Sequence, residues 1–391
     1  MSQLSSDRVL GNFKDLQKAV FTGRPNRFTV ECLTNNRKER AYLPNPGRLW
    51  ELLLPGKELY LARDLQVSER STKYTVVAVK KEGVPVLLHT HHANTVAKWL
   101  IEQEMISGLE GYSILKPQVT MGRSRFDFLL KKDNQSLVLE VKSCTLFNQE
   151  IAMFPDAITL RGKRHLIELA ELSHKGLRGG VLFIVNWPLA RYFLPEYHTD
   201  LEFSRVLYDL KDHLIVKAIS LEWKKDLSLG QIHELEIPWW LIEREAQDIG
   251  SYIIILNLKN TQKLSIGELG EITLEKGYYL YVGSARKNLT RRVQRHRRKR
   301  KKLFWHIDYL GQIADFHLAL PVRSSADLEC DIAKRLKAIS DWSVPEFGVS
   351  DCSCETHLFG MRSNPIFSPT FIEILQHFRI GRLEDELMGK Y

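Results

Sequence analysis

The chain has 391 residues, 44% of them hydrophobic and 26% charged, with 23 Gly and 14 Pro. That is the composition of ordinary globular domains, and at ~100–200 residues per domain it predicts two or three, which excludes a disordered, collagen-like or disulfide-stapled mini-protein. Lys and Arg total 56 against 47 Asp and Glu, a net charge of +9, and no apolar stretch approaches a membrane span of ~18 residues. The polar start lacks a signal-peptide core and the five cysteines are scattered, so the expectation is no membrane association and a reducing, cytoplasmic location.

Between residues 24 and 90, Phe28 to Leu33, Lys57 to Ala62 and Tyr74 to Lys80 read as short strands. Turn signals such as Asn35-Asn36 and Pro44-Asn45-Pro46-Gly47 separate them, which predicts a small barrel or curled sheet. Arg24, Arg27 and Arg48, with Arg70 and Lys73, would give it a basic face suited to nucleic acid. The spacing of Val96, Trp99, Leu100 and Met105 predicts a helix from Asn94 to Leu109. Strands follow at Arg125 to Leu130 and Leu137 to Lys142, then a helix over about Gly162 to Leu172 and strands at Gly180 to Val185 and Leu214 to Leu221. This is an alternating α/β region. Lys224 to Gln247 shows no clear period and reads as a connection. The expected division is a barrel over 1–90, an α/β domain over 91–225, a linker over 226–247 and a second α/β domain over 248–391, with each half able to fold alone.

Within the strand Leu137 to Lys142, period-two alternation puts Glu140 and Lys142 on one face, and Asp127 sits on the preceding strand across the hairpin 131–135. Two carboxylates on neighbouring strands can hold Mg²⁺ against a phosphate, and a nearby ammonium can orient water and stabilise charge. That is the chemistry of phosphodiester hydrolysis. Gly122-Arg123-Ser124-Arg125-Phe126-Asp127, Glu140-Val141-Lys142-Ser143-Cys144-Thr145, Phe154-Pro155-Asp156-Ala157 and Arg161-Gly162-Lys163-Arg164-His165-Leu166 closely resemble the sugar fermentation stimulation protein A family over about residues 16–220. The resemblance implies an N-terminal OB-like β-barrel and a PD-(D/E)XK restriction-endonuclease-like α/β core. It implies Asp127, Glu140 and Lys142 as catalytic triad, with Asp156, Arg161 and His165 lining the same site.

Farther on, Tyr252 and Tyr281 stand where strand-like runs meet glycine, able to orient or activate a water. Arg292 and His296 follow at i and i+4, on one helix face. Glu329, on a helical stretch from Asp327 to Lys337, could supply a metal-binding carboxylate. The arrangement resembles the GIY-YIG nuclease superfamily over about 248–367, which implies Tyr252, Tyr281, Arg292 and Glu329 as catalytic residues of a GIY-YIG-like α/β domain.

The segment Arg286 to Lys302 carries eleven Lys or Arg and no acid, so the rest of the chain is close to neutral. Arg295, Arg297, Arg298, Arg300, Lys301 and Lys302 are the expected phosphate contacts, because neutralising phosphates releases counterions. Cys352, Cys354 and His357 form a Cys-x-Cys-x-x-His cluster, but structural zinc usually shows two separated ligand pairs and only Cys330 remains as a fourth partner. The expected cofactor is therefore Mg²⁺ or Mn²⁺, with metal ligands Asp127, Glu140 and Glu329, and zinc is not expected. The reading is an α/β and α+β multidomain DNA-binding protein acting as a Mg²⁺-dependent nuclease. Its partner would be nucleic acid, DNA before RNA. The alternative is a non-catalytic DNA-binding regulator of sugar metabolism genes, which would have no need of paired carboxylates. Oligomeric state is open.

Overall fold

The computed structural model describes residues 13, 15–63, 72–349 and 352–389; Arg70, Ser350 and Asp351 lie outside them. The chain divides into two compact units, 1–196 with 202–242, and 197–201 with 243–391.

The first unit begins with β1 (Gln17–Asn26), β2 (Thr29–Thr34), β3 (Arg37–Tyr42), β4 (Glu58–Arg63) and β5 (Tyr74–Lys81). β2 and β3 form a tight hairpin because Asn35 and Asn36 adopt φ of 48° and 59°, which asparagine tolerates and which matches strand twist. β1 pairs with β2 and β4, and β4 with β5, all antiparallel. Two parallel rungs, Ala41 with Tyr74 and Tyr42 with Thr75, then close the ring. Strand order β1-β2-β3-β5-β4 makes this an OB-like five-stranded barrel, extended by β6 (Val84–Leu87) on β5. Ala19, Phe21, Val30, Cys32, Leu59 and Leu61 fill it. β5 is apolar on both faces: Val76 and Val79 point into the barrel core, while Val77 and Ala78 pack on Val96 and Leu100 of α1 (His92–Glu102). That helix stops at Glu102, short of the expected Leu109, because Glu104 turns to φ 56° and Gly108 to 79°.

The second part of this unit is a six-stranded sheet ordered β15-β14-β12-β9-β8-β7. Its strands are β7 (Ser113–Met121), β8 (Ser124–Lys132), β9 (Gln135–Cys144), β12 (Arg178–Val185), β14 (Leu214–Trp223) and β15 (Leu229–Glu234). β9, β12 and β14 are parallel and central, buried on both sides, which explains the unbroken apolar run of β12. A small sheet of β10 (Leu146–Phe147), β11 (Ile151–Phe154) and β13 (Tyr192–Pro195) flanks it. α2 (Leu160–Glu171) starts at Thr159, whose hydroxyl accepts the Gly162 N–H at 3.0 Å. α3 (Leu201–Asp209) leads into β14. The stretch expected as a linker, 226–247, is folded instead. β15 bonds to β14 with Leu221 opposite Ile232, and Leu235 and Leu241 are buried. The sequence shows no period there because the strand lies at a sheet edge and is half exposed.

After α4 (Trp239–Glu245), the second unit is an antiparallel sheet ordered β20-β16-β19-β22-β21, built from β16 (Gly250–Leu258), β19 (Gly277–Ala285), β20 (Asp315–Arg323), β21 (Trp342–Ser343) and β22 (Leu358–Met361). The hairpin β17 (Gln262–Ile266) and β18 (Gly270–Leu274) is inserted between β16 and β19. Helices α5 (Leu289–Arg297), α6 (His306–Ile313), α7 (Glu329–Lys337), α8 (Pro369–Gln376) and α9 (Arg382–Leu387) complete it. The basic run is helical only to Arg297. Residues 197–201, expected in the α/β domain, belong here. His198 is fully buried, its Nδ1 accepting the Arg323 N–H and its Nε2–H donating to the Arg379 carbonyl, each at 2.9 Å.

Candidate functional sites

β8 and β9 pair regularly to Phe128 opposite Leu139. Where the next rung would form, the Val141 N–H donates to Asp127 Oδ2 at 2.8 Å, and Asn94 Nδ2 from α1 donates to Oδ1 at 2.6 Å. Both carboxylate oxygens are thus held. Glu140 is buried, and its Oε1 receives the Lys142 ammonium and the His165 Nδ1–H, the latter at 2.8 Å. Its Oε2 is buried without a hydrogen-bond partner. Arg161 Nε donates to His165 Nε2 at 3.3 Å, and a guanidinium has no lone pair to offer, so the proton of a neutral ring sits on Nδ1 and points at Glu140. Burial pushes the Asp127 pKa upward, and the neighbouring Glu140 charge adds to it. Burial pushes Glu140 upward too, but the His165 hydrogen bond and the Lys142 charge outweigh it and hold this carboxyl below its usual range.

These groups open onto a cleft of about 510 Å³ whose opposite wall is the Asn45-Pro46-Gly47 turn of the barrel. Asp156 crosses that cleft and accepts the Leu49 N–H on Oδ2 at 2.7 Å. A methyl group on Gly47 would lie 2.7 Å from the same oxygen, so only glycine leaves room for Asp156. Arg24 clamps the turn from behind, donating to the carbonyls of Arg48, Arg27 and Asn45 at 2.6, 2.7 and 3.1 Å. Its expected role on a basic face is therefore corrected: the guanidinium is engaged with backbone rather than presented to a polyanion. Arg27 is exposed and lines the cleft, and Arg48 lies over the Trp50 ring at 4.8 Å. Burial raises the pKa of Asp156 and of the neighbouring Glu51, whose Oε1 is also buried without a partner.

In the second unit, Tyr252 lies opposite Gly283 across β16 and β19, with Tyr281 two residues back on the same face. Tyr252 rests its ring over Gly283, where a Cβ would meet the phenol at 2.6 Å. Its hydroxyl meets His296 Nε2 at 3.0 Å, and the two tyrosine rings are 6.4 Å apart. Arg292 Nη1 donates to the Ser284 carbonyl at 2.8 Å, beside them. Burial, then the Tyr281 and Glu329 charges against that of Arg292, hold the Tyr252 phenol well above its usual pKa. Burial and then Lys301 push His296 down to about 4. Glu329 Oε1 sits 2.9 Å from His357 Nδ1. Tyr252, Tyr281, Arg292 and Glu329 are thus brought to one region.

The basic run divides in two. Asp308 is fully buried and binds Arg295 through both oxygens at 2.9 and 2.8 Å, and Lys301 at 2.9 Å. These cations, with the Phe304 and Trp305 N–H groups, hold it down to about 2 against burial. Arg295 and Lys301, expected as phosphate contacts, therefore belong to the fold, whereas Arg297, Arg298, Arg300 and Lys302 are exposed.

The model described as "SfsA N-terminal OB domain" matches residues 23–88, and that described as "Sugar fermentation stimulation protein RE domain" matches 91–226. A sugar fermentation stimulation protein homolog from Methanothermobacter thermautotrophicus is 40% identical over 225 residues, covering 57% of this chain and 93% of the relative. The chain belongs to the sugar fermentation stimulation protein family. A second family member, from Methanosphaera stadtmanae, is 40% identical over 224 residues, covering 54% of this chain and 93% of the relative. A solved structure of the family, that of Pyrococcus furiosus SfsA in complex with Ca²⁺, superposes with a TM-score of 0.53 at 28% identity, covering 57% of this chain and 96% of that one. Residues 251–380, beyond the family's two modules, match a "Domain of unknown function", DUF123. No helix among the described residues is long and apolar enough to cross a membrane. In the family modules, sequence reasoning missed Asn94 and Glu51, whose only signal is a polar residue at the start of a helix and an acid in an otherwise apolar stretch. In the following domain it missed Asp308, the lone acid after eleven cations.

Proposed function

We propose that the first unit is a divalent-metal-dependent nuclease of PD-(D/E)XK type that hydrolyses phosphodiester bonds in DNA. The observation that carries this reading is the convergence of Asp127, Glu140 and Lys142 on one cleft with Glu140 Oε2 buried and lacking a partner. A buried carboxylate oxygen without a donor is costly. Hard oxygen donors on two adjacent strands suit Mg²⁺ or Mn²⁺, and the Ca²⁺ of the Pyrococcus furiosus relative supports a cation in a member of this family. Such an ion, held by Asp127 and Glu140, would supply Lewis-acid polarisation of a phosphoryl oxygen.

The chain's own residues have distinct tasks. Asn94 and the Val141 N–H fix Asp127; His165, oriented by Arg161, fixes Glu140 Oε1 and leaves Oε2 without a hydrogen bond. The Lys142 ammonium, at the mouth of β9, orients the attacking water and stabilises negative charge on phosphorus oxygens. Asp156 and the Gly47 turn border the groove that receives the strand, and Arg27 and Arg48 supply phosphate contacts there; the exposed basic residues of the second unit supply phosphate contacts of that unit's own. We also read the second unit as GIY-YIG-like, with Tyr252 and Tyr281 at the reacting centre, Arg292 beside the phosphate and Glu329 as the metal-binding carboxylate. The gathering of these four on one side of the β16–β19 pair supports it.

The test is incubation of the purified chain with end-labelled single- and double-stranded DNA and RNA, with Mg²⁺ or with chelator. Mg²⁺-dependent cleavage should fall at least 100-fold in Asp127→Asn and Glu140→Gln while binding persists or tightens. Cleavage at wild-type rate in both variants would refute the site. DNA binding with no cleavage by the wild-type chain under any metal would make it a binding regulator instead.

A further inference from the structure

Three of the five cysteines play no part in the reading above, and they are brought together. Cys330 lies at the start of α7, and Cys352 and Cys354 lie in the stretch between β21 and β22. Their sulfurs and one ring nitrogen of His357 all lie within 4.8 Å of one another. We propose that Cys330, Cys352, Cys354 and His357 bind one zinc ion in a closed, four-ligand structural site. The proposal does not rest on the nuclease reading.

Geometry is the first argument. A tetrahedral zinc with Zn–S of about 2.3 Å and Zn–N of about 2.0–2.1 Å has S···N edges of about 3.6 Å and S···S edges of about 3.8 Å. Cys352 Sγ lies 3.5 Å from His357 Nε2, so that edge is already at its ligated length. The remaining separations need to contract by at most about 1 Å. The imidazole is also set for the task. Glu329 Oε1 is 2.9 Å from Nδ1, close enough for an ion pair though not aligned for a hydrogen bond, while Nε2 is the ring nitrogen that faces Cys352. His357 is 1% exposed, and its backbone is fastened on both sides, its N–H donating to the Phe347 carbonyl and its carbonyl accepting the Val282 N–H, each at 2.9 Å.

Chemistry is the second argument. All three thiols are free of disulfides. A divalent ion takes such thiols as thiolate ligands. Three soft sulfurs and an imidazole select zinc over the magnesium expected at the oxygen-lined cleft. Cys330, the single fourth partner the sequence left for the Cys-x-Cys-x-x-His cluster, is brought to it from α7, some twenty residues upstream. The ion would pin residues 352–357, which lack regular structure, to α7. Residues 344–349, just before them, border the tyrosine site: Gly348 packs on the Tyr281 ring, and its N–H donates to His306 Nδ1 at 3.2 Å.

The experiment uses the full chain, expressed with ZnCl₂ and purified under reducing conditions. Elemental analysis should give one zinc per chain, and exchange with CoCl₂ should give the intense visible d–d bands and sulfur-to-cobalt charge transfer of a tetrahedral thiolate site. Cys354→Ser should lower the retained zinc at least 10-fold. In case that variant fails to fold, alkylation of the wild-type chain supplies an independent reading: Cys330, Cys352 and Cys354 should react at least 10-fold faster after chelation than before. Less than 0.1 zinc per chain together with no tetrahedral cobalt spectrum would overturn the proposal. So would equal alkylation rates with and without chelator, or a disulfide among the three in the reduced protein.

Discussion

If Asp308 engages two of the basic residues and leaves others free, the cations between Arg286 and Lys302 cannot contribute equally to polyanion binding. Each phosphate neutralised on duplex DNA contributes ~0.9 to the slope of log affinity against log salt. Arg297, Arg298, Arg300 and Lys302 are exposed, so changing all four to Gln should flatten that slope by up to about 3.6. Arg295→Gln should leave the slope nearly unchanged. Its cost appears in stability instead, because it strips two hydrogen bonds from a carboxylate with no solvent exposure. Breaking a buried pair on one side costs about 3–5 kcal/mol, and the lower figure applies here because Lys301 remains on Asp308. The assay is fluorescence anisotropy with a labelled duplex in chelator, titrated across KCl concentrations, with a urea transition for each variant. A quadruple variant with the wild-type slope, or an Arg295→Gln variant whose slope falls by ~0.9 with stability unchanged, would refute the division of the run.

Gly283→Ala places a methyl group 2.6 Å from the Tyr252 phenol, so the second unit should lose about 1–3 kcal/mol and the Tyr252–His296 contact should be displaced, read by thermal denaturation and tyrosine fluorescence. His296, at about 4 when folded against about 6.5 unfolded, binds fewer protons in the native state, so its contribution to stability is complete above about pH 6.5 and is lost as pH falls toward 4. Between pH 7 and pH 5 that loss is about 2 kcal/mol, and His296→Gln should remove it from the difference in urea midpoints at the two pH values.

What the sequence disclosed, and what it did not, follows the range of the contacts involved. Asp127, Glu140 and Lys142 could be placed near one another because a hairpin and period-two alternation are local rules, whereas Arg161 and His165 entered only through the family resemblance. The division of the basic run was not readable: Asp308 neutralises Arg295 only because α6 packs beside α5 and buries the acid. Nor was the barrel's closure, which depends on two parallel rungs between strands more than thirty residues apart. Asn94 reaches Asp127 across a similar distance in the chain. β15 was missed because an edge strand, exposed on one side, carries a weak hydrophobic pattern.

The five-residue stretch 197–201 has an implication for how such a protein could arise and be cut apart. A gene fusion that simply joins two reading frames yields two units, each drawn from one continuous run of codons. Here the second unit takes a piece from within the first unit's stretch of chain. A C-terminal product beginning at residue 243 would leave the Arg323 N–H and the Arg379 carbonyl facing the space that His198 fills. No single scission separates the units with both intact. A cut at residue 242 therefore leaves residues 197–201 on the product that lacks their packing partners.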